Sequence, residues 1–149
     1  MHPGAHIQWE SELTMKLRFS YVDGGIHPKI GQVYHWREEA IGAPDAMRYT
    51  RYMAEVLGAV AQTVSDCDRL LGYIDDVEKG RQAEVIAGGN DVKLTIQPSG
   101  VQVDIEINDE WVGRPEGRFK LEEWKALLQG WCRFLKMPKS LDTVLEIDV

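Results

Sequence analysis

The chain contains 149 residues, of which 44% are hydrophobic, and it carries a formal net charge of -7. This length is typical of one domain, and the hydrophobic content is sufficient for a core. The negative charge argues against direct binding of nucleic acid or of an anionic membrane, because contacts to phosphate need clustered lysine and arginine. We therefore expect a basic partner.

The acidic residues concentrate in the middle of the chain. Residues 66 to 110 contain eleven acids and four bases, so this segment alone has a net charge of -7. The chain has no apolar run of about 18 residues and no charged leader before a shorter apolar stretch, so it encodes neither a membrane span nor secretion. We predict a cytoplasmic protein. Cys67 and Cys132 each lie on the apolar side of a predicted helix and are expected to be buried, reduced thiols.

The N-terminal segment is predicted to form a leader followed by two strands. Residues 1 to 12 show no periodicity and are expected to be a disordered leader, with Met1 and Met15 both candidate translation starts. Apolar residues alternate from Leu13 to Tyr21, which is the pattern of a half-buried strand. A weaker alternation from Ile30 to Trp36 predicts a second strand.

A long helix is predicted from about Pro44 to Val77. Proline is tolerated in the first turn of a helix, so it suits this start. Gly58 and Gly72 interrupt the segment and argue against a coiled coil, so we expect one long helix, straight or with a bend, that lies across a sheet. Seven apolar residues recur at alternating steps of four and three and form one stripe: Met53, Leu57, Val60, Val64, Cys67, Leu71 and Ile74.

The second half of the chain is predicted to contain a hairpin, an amphipathic helix and a final strand. Gly88-Gly89-Asn90 is expected to be a connection that needs positive φ angles. Residues Val92 to Ile107 alternate as a β-hairpin with one apolar and one acidic face. Apolar residues from Leu121 to Leu135 fall on one side of a helix that Pro138 ends, and the alternation from Leu141 to Val149 predicts the last strand.

The order of these elements defines the predicted fold class. We expect one domain, residues 13 to 149, with the order β-β-α-β-β-β-α-β. This is an α+β fold: a largely antiparallel sheet with a long helix and a C-terminal amphipathic helix packed on it.

No motif predicts a cofactor, a metal ion or an enzyme. Gly88-Gly89-Asn90 leads into a strand, and it lacks the lysine and the following helix of a phosphate loop. His2 and His6 lie in the expected leader, and neither His27 nor His35 has a second ligand at zinc spacing. The sequence also contains no nucleophile elbow and no recognisable Cys–His pair.

Trp111 is the one tryptophan with an ambiguous role. Trp124 and Trp131 fall on the apolar side of the last helix and are expected in the core. Trp111 instead follows Asp109 and Glu110 in a polar loop. It is either an anchor that packs the loop onto the core or an interface hot spot.

Residues 83 to 136 combine two features: a Gly-Asn step that enters a hairpin, and a C-terminal helix with Trp-x-x-Phe-Leu. The residues that carry them are Glu84, Gly89-Asn90, Val92 to Ile107, and Leu121 through Trp124, Trp131 and Phe134 to Leu135. In these features the segment resembles a group of small bacterial immunity proteins, the cytoplasmic partners of polymorphic toxins or of contact-dependent growth inhibition toxins. The resemblance implies a protein that binds and neutralises a toxin domain and has no catalytic residues of its own.

We hypothesise that an acidic surface binds a cognate toxin domain with a basic surface, such as a nuclease with its basic substrate cleft. We expect a monomer or a weak dimer. The predicted partner contacts come from the end of the long helix, the hairpin and the loop after it: Asp75, Asp76, Glu78, Asp104, Glu106, Asp109, Glu110 and Trp111. Two alternatives stay open. One is a homo-oligomeric structural or adaptor domain joined through the stripe from Met53 to Ile74. The other is an enzyme whose carboxylates come from distant segments.

Overall fold

The computed structural model describes residues 15–42 and 45–149, so the expected leader, Leu13 and Pro44 lie outside it. The strands are β1 (Lys16–His27), β2 (Gly31–Ile41), β3 (Val85–Gly89), β4 (Val92–Gln97), β5 (Gly100–Ile105), β6 (Arg118–Phe119) and β7 (Val144–Asp148). The α-helices are α1 (Ala46–Tyr49), α2 (Leu57–Val60), α3 (Val64–Glu78) and α4 (Leu121–Leu135). A π-helix (Thr50–Ala54) follows α1, and two 3-10 helices (Asp109–Trp111 and Pro115–Gly117) precede β6. The α+β class is confirmed.

The strands form two antiparallel sheets where the sequence predicted one. One sheet has the order β2-β1-β7 and the other the order β3-β4-β5-β6. All neighbouring strands in both sheets are antiparallel. The two-residue strand β6 was not predicted, since it is too short to show a period. It pairs with the start of β5 and brings the chain back to the second sheet before α4 begins.

The first sheet follows the alternation seen in the sequence. Leu17, Phe19 and Tyr21 are buried on one face of β1, with the polar residues between them less buried. Leu17 lies opposite Ala40 on one side and Ile147 on the other, so β1 is the central strand. This arrangement turns one face of the sheet toward the helices and leaves the other face accessible to solvent.

Gly88-Gly89-Asn90 forms a tight connection, as predicted. Gly89 pairs with Val92, and the two residues between them, Asn90 and Asp91, both have positive φ angles of 48° and 66°. These are the conformations of a type I′ hairpin turn. Gly88 has a φ of 139°, and a Cβ atom there would lie 2.0 Å from the carbonyl oxygen of Val92. The glycine is therefore required by the close approach of the two strands.

The prediction of one long helix from Pro44 to Val77 was wrong. The segment is divided into α1, the π-helix, α2 and α3. Between α2 and α3, Ala61 leaves the helical region with φ -144° and ψ 67°. Thr63 then begins α3 with a capping box, in which its side chain accepts from the N–H of Asp66 while the Asp66 carboxylate accepts from the N–H of Thr63. This reciprocal cap favours a new helix start over continuation.

The apolar stripe of that segment is nevertheless buried inside the chain. Five of its seven members have almost no exposed surface: Met53, Leu57, Val60, Cys67 and Ile74. Val64 and Leu71 pack against the same core as partly buried residues. Because the stripe is already covered within one chain, it offers no seam to a second copy.

Aromatic side chains from β1, β2 and α4 form the centre of the core. The rings of Phe19 and Trp36 lie edge-on to Trp131, with centroids 5.0 and 5.3 Å away. Phe134 stacks beside Trp131 at 5.3 Å. The indole N–H of Trp131 donates to the carbonyl oxygen of Ala61 at 2.7 Å, so the polar atom of this buried side chain has a partner. The expected burial of Trp131, and of Trp124 on the same helix, is confirmed.

The two cysteines are buried and free, as predicted. Cys67 on α3 and Cys132 on α4 are adjacent where these helices pack together. Burial, with a smaller effect of the neighbouring Cys132 thiol, raises the pKa of Cys67 to about 12. Such a thiol is almost entirely protonated near neutral pH and is a poor nucleophile. Among the described helices, none is both long enough and apolar enough to cross a membrane.

Candidate partner-binding surface

The predicted contact residues divide into two groups at opposite ends of the β4–β5 hairpin. Asp75, Asp76 and Glu78 lie in the last turns of α3, where Glu78 lines a shallow cleft with Pro98 and Ser99 of the β4–β5 turn. The other group follows the far end of β5: Glu106, Asp109, Glu110 and Trp111. The strand between them has six residues, which span about 17 Å. The structure therefore does not join all the predicted residues into one surface.

The acids at the end of α3 are compensated by cations of the same chain. Asp75 pairs with Lys79 at 3.1 Å and also with Arg81, which reaches Asp76 at 2.8 Å. Hydrogen bonds from Lys79 and Arg81 lower the pKa of Asp75, and the matching bonds to Asp76 and Asp75 raise the pKa of Arg81. A separate pair joins Glu78 to Lys125 of α4 at 3.2 Å. This group presents little uncompensated charge to a partner.

Asp104 does not face solvent as the alternation of the hairpin predicted. Asp104 is 5% exposed, and its carboxylate accepts the backbone N–H of Gly113 at 2.7 Å. Lys93 lies directly opposite on β4, with its Nζ atom 3.9 Å from Oδ2 of Asp104. Gln102 lies on the same face of β5 and donates to the carbonyl oxygen of Arg114 at 2.9 Å. The loop after β5 thus folds back over this face and buries Asp104.

The second group forms an exposed cluster of acids around an apolar residue. Glu106, Asp109 and Glu110 are exposed. Asp91 is a fourth exposed acid, and it lies beside them because its carbonyl oxygen accepts the N–H of Glu106 at 2.7 Å. We call Asp91, Glu106, Asp109 and Glu110, together with the intervening Ile107, the acidic face. Ile107 is 76% exposed. Within the described ranges, the ion pairs of the chain include none of these four carboxylates.

Two arginines that sequence analysis did not single out hold the loop in place. The guanidinium of Arg51 lies over the ring of Trp111, 4.6 Å from its centroid. Arg48 donates to the carbonyl oxygens of Glu116 and Arg118 at 2.9 and 3.1 Å. Both arginines belong to the α1 and π-helix segment, three residues apart, so they reach the loop from one side. The sequence shows only that the two arginines are three residues apart in a predicted helix. Many surface arginines have this spacing, so it does not predict a contact with the loop.

Further contacts within the loop shape the part that carries the acids. The side chain of Asn108 accepts the N–H of Glu110 at 3.0 Å and begins the first 3-10 helix. Arg114 donates to the carbonyl oxygen of Glu110 at 2.8 Å. Trp111 is partly buried and packs against the core. It therefore anchors the loop, which is one of the two roles that the sequence left open.

A pair of carboxylates from distant segments lies elsewhere, between β2 and the π-helix. Glu38 is on the core-facing side of β2, opposite Phe19. Burial, and to a smaller extent the charge of Glu55, raises the pKa of Glu38 to about 7. Glu55 lines an open cleft of about 230 Å³ with Thr50 and Arg51, but Glu38 is not among its lining residues. The pair therefore does not converge on one pocket, as an acid–base site requires.

The described residues contain no group of three or more His, Cys, Asp or Glu side chains placed to hold a metal ion. His27 and His35 lie on the exposed part of the β1–β2 hairpin, and His2 and His6 are outside the described ranges. Comparison with known proteins found no matching family model, no similar curated protein and no similar solved structure.

Proposed function

We propose that this chain is an immunity-type inhibitor that binds a cognate bacterial toxin domain through the acidic face. The observation that carries the proposal is the set of four carboxylates without an ion pair in the described structure around the exposed Ile107. A basic substrate cleft, such as that of a nuclease, is complementary to this surface. The resemblance of residues 83 to 136 to immunity proteins points to the same class of partner.

The acidic face combines two contributions to binding. Its carboxylates would attract a basic domain from a distance and so increase the association rate, especially at low salt. Ile107 would then be buried at the centre of the contact, where apolar anchors contribute most of the affinity. Carboxylates that enter a basic cleft occupy the positions that substrate phosphates otherwise take, which would block the toxin without any chemical step.

The support beneath the acidic face favours binding without a large loss of entropy. Asp104 fixes the loop through Gly113, and Arg51 fixes it through Trp111. A loop that already has its bound shape loses less conformational freedom on association. We therefore assign Asp104 and Trp111 a positioning role and place the direct contacts at Glu106, Asp109 and Glu110.

Charge reversal at these three contacts tests the proposal. The triple variant Glu106→Lys, Asp109→Lys, Glu110→Lys should associate roughly 10- to 100-fold more slowly at low salt with the toxin domain encoded beside this chain. The difference should shrink at high salt, because screening weakens long-range attraction. Surface plasmon resonance at two salt concentrations measures both effects.

A matched control separates the position of the acids from the net charge. Asp68, Glu122 and Asp142 are exposed acids outside the acidic face. Reversing these three changes the net charge by the same amount and should affect the association rate much less. Equal losses in both triple variants would show that the acidic face is not the contact surface. No binding by the unchanged protein would reject the immunity function with this partner.

A further inference from the structure

The acidic face alone is small for a stable contact between two proteins. Stable complexes bury about 800 Å² on each partner, which corresponds to about 20–30 residues a side. The acidic face comprises five residues. A partner bound there must also cover surface beside it. The loop that carries Asp109 and Glu110 continues directly into Trp111 and Val112, and Val112 is 40% exposed.

An open cleft on α1 and the π-helix adjoins this loop. Its volume is about 230 Å³. Five residues line it: Ala46, Met47, Thr50, Arg51 and Glu55. The cleft meets the loop at Arg51, whose guanidinium lies over the ring of Trp111, 4.6 Å from its centroid. Trp111 follows Glu110 in the chain, so a partner that covers Glu110 comes close to the cleft.

The walls of the cleft combine apolar surface with one cation and one anion. Met47 is 77% exposed and forms an apolar wall together with Ala46. Neither Arg51 nor Glu55 belongs to an ion pair within the described ranges. A bound carboxylate would meet Glu55, and a bound cation would meet Arg51, so neither suits the cleft. An uncharged aromatic side chain suits it, because a ring stacks on a guanidinium and a carboxylate accepts an O–H or N–H group.

Hydrogen bonds to two other elements hold the cleft in place. The hydroxyl of Thr50 accepts the N–H of Ala40 in β2 at 3.2 Å. The hydroxyl of Tyr49 donates to the carboxylate of Glu123 in α4. Because these bonds fix the segment that forms the cleft, the cleft exists before a partner arrives. Binding then costs less conformational freedom than it would in a mobile segment.

We propose that the cleft binds a tyrosine or tryptophan side chain of the partner that covers the acidic face. These two side chains join an apolar ring to an O–H or N–H group, which matches an apolar wall next to a guanidinium and a carboxylate. The ring packs against Met47 and stacks on Arg51, and its polar group donates to Glu55. The inference rests on the proposed function, since it concerns the same partner. It adds a buried aromatic anchor, which slows dissociation, to carboxylates that mainly speed association.

Truncation of the cleft walls tests the inference through the dissociation rate. Met47→Ala and Glu55→Ala should each increase the dissociation rate from the toxin domain encoded beside this chain by roughly tenfold, because each removes a contact to the anchor. Met47→Ala should leave the association rate nearly unchanged, since it removes no charge. Glu55→Gln keeps an acceptor oxygen and should dissociate more slowly than Glu55→Ala. Surface plasmon resonance measures both rates.

A truncation elsewhere on the surface is the matched control. Ile86 on β3 is 62% exposed and lies outside both the cleft and the acidic face. Ile86→Ala should leave both rates unchanged. Arg51 is kept in all these variants, because it also holds Trp111 in place. If Met47→Ala and Glu55→Ala dissociated no faster than the unchanged protein, the inference would be overturned.

A double-mutant cycle identifies the side chain that enters the cleft. Each exposed tyrosine and tryptophan of the toxin domain is changed to alanine in turn and combined with Met47→Ala. For one of them, the two changes together should weaken binding no more than the stronger change alone, because both remove the same contact. If the effects added for every tyrosine and tryptophan, the cleft would have a different occupant and the inference would be wrong.

Failure of this inference differs from failure of the proposed function. If reversal of the acidic face slows association while the cleft variants bind like the unchanged protein, the proposed function stands and the cleft lies outside the contact.

If the toxin domain does not bind the unchanged protein, the proposed function fails with this partner, and a titration with N-acetyl-tyrosine amide decides the chemistry of the cleft. The ring should shift the methyl resonance of Met47 in a methionine-methyl NMR spectrum, whereas N-acetyl-leucine amide should not. No shift with the tyrosine compound, or an equal shift with both compounds, would overturn the inference.

Discussion

Asp104 holds the loop that displays Asp109 and Glu110. Its carboxylate accepts the N–H of Gly113, and the side chain of Gln102 on the same strand donates to the carbonyl oxygen of Arg114. The alternation in the sequence correctly places Asp104 on the face of β5 opposite Val103, but alternation cannot show that a later segment covers that face. Asp104, which the sequence predicted as a direct contact, is therefore buried beneath the loop, and in the proposed complex it would position Asp109 and Glu110 without touching the partner.

Glu38, like Asp104, has properties that only its surroundings in the fold explain, and for Glu38 the property is the pKa of its carboxyl group. It lies on the core-facing side of β2 and takes part in none of the ion pairs among residues 15–42 and 45–149. Burial raises the pKa of its carboxyl group from 4.5 to about 7. Between these values the folded chain binds a proton that the unfolded chain has released, so stability should fall as the pH rises from about 4.5 to 7. Below that window the group is protonated in both states, and above it the loss is complete.

Glu38→Gln should remove this pH dependence, because the amide resembles the protonated acid. At pH 8 the variant should be more stable than the unchanged protein by on the order of 1–3 kcal/mol, and at pH 4.5 the two should be nearly equal. Urea unfolding at both pH values measures the difference. Glu39→Gln is the control, since Glu39 follows on the other face of β2 and pairs with Arg37 at 3.3 Å. An equal gain in both variants would contradict the assignment to Glu38.

The break between α2 and α3 shows that the spacing of apolar residues alone cannot locate the end of one helix and the start of the next. Val60 and Val64 are four residues apart, which is the spacing of one continuous helix, although the chain leaves the helical conformation at Ala61. The capping box from Thr63 to Asp66 was the signal that could have located the new start. Strands were easier to predict, because their period of two is interrupted by recognisable turns such as Asn90 with Asp91.

Substitution of Thr63 tests whether this break is stabilised by its cap. Thr63→Ala should lower the free energy of unfolding by about 1 kcal/mol, because the N–H of Asp66 loses its acceptor. In one continuous helix the same change would have the opposite sign, since alanine is the better helix former. Ser65→Ala, two residues further on in the first turn of α3, is the matched control and should be nearly neutral. Chemical unfolding gives both values, and a stabilising effect of Thr63→Ala would refute the role of the cap.

Charge is distributed unevenly over the whole molecule. The acids of α3 are compensated by Lys79, Arg81 and Lys125, so the net charge of residues 66 to 110 overstates the charge that a partner would encounter there. Four exposed acids that belong to none of the ion pairs in the described ranges, Asp91, Glu106, Asp109 and Glu110, lie instead at the end of the hairpin where β4 begins and β5 ends. The composition gives the size of the net charge, but ion pairs decide which part of it is available to a partner, both the local pairs at the end of α3 and the pair between α3 and α4.

The two sheets share one core, so the whole molecule should unfold in one transition. Buried residues of both sheets belong to a single cluster, in which Trp131 packs against Phe19 and its indole N–H donates to the carbonyl oxygen of Ala61.

Trp131→Phe removes that hydrogen bond and leaves a small cavity, so the free energy of unfolding should fall by about 2 kcal/mol. Urea unfolding followed by far-UV circular dichroism and by tryptophan fluorescence should give coincident curves for both proteins, as a single cooperative unit requires. Trp111→Phe, on the partly buried loop, is the control and should lower the free energy of unfolding by less than Trp131→Phe does. If the two signals separated in the unchanged protein, the sheets would be independent units and the shared core would not couple them.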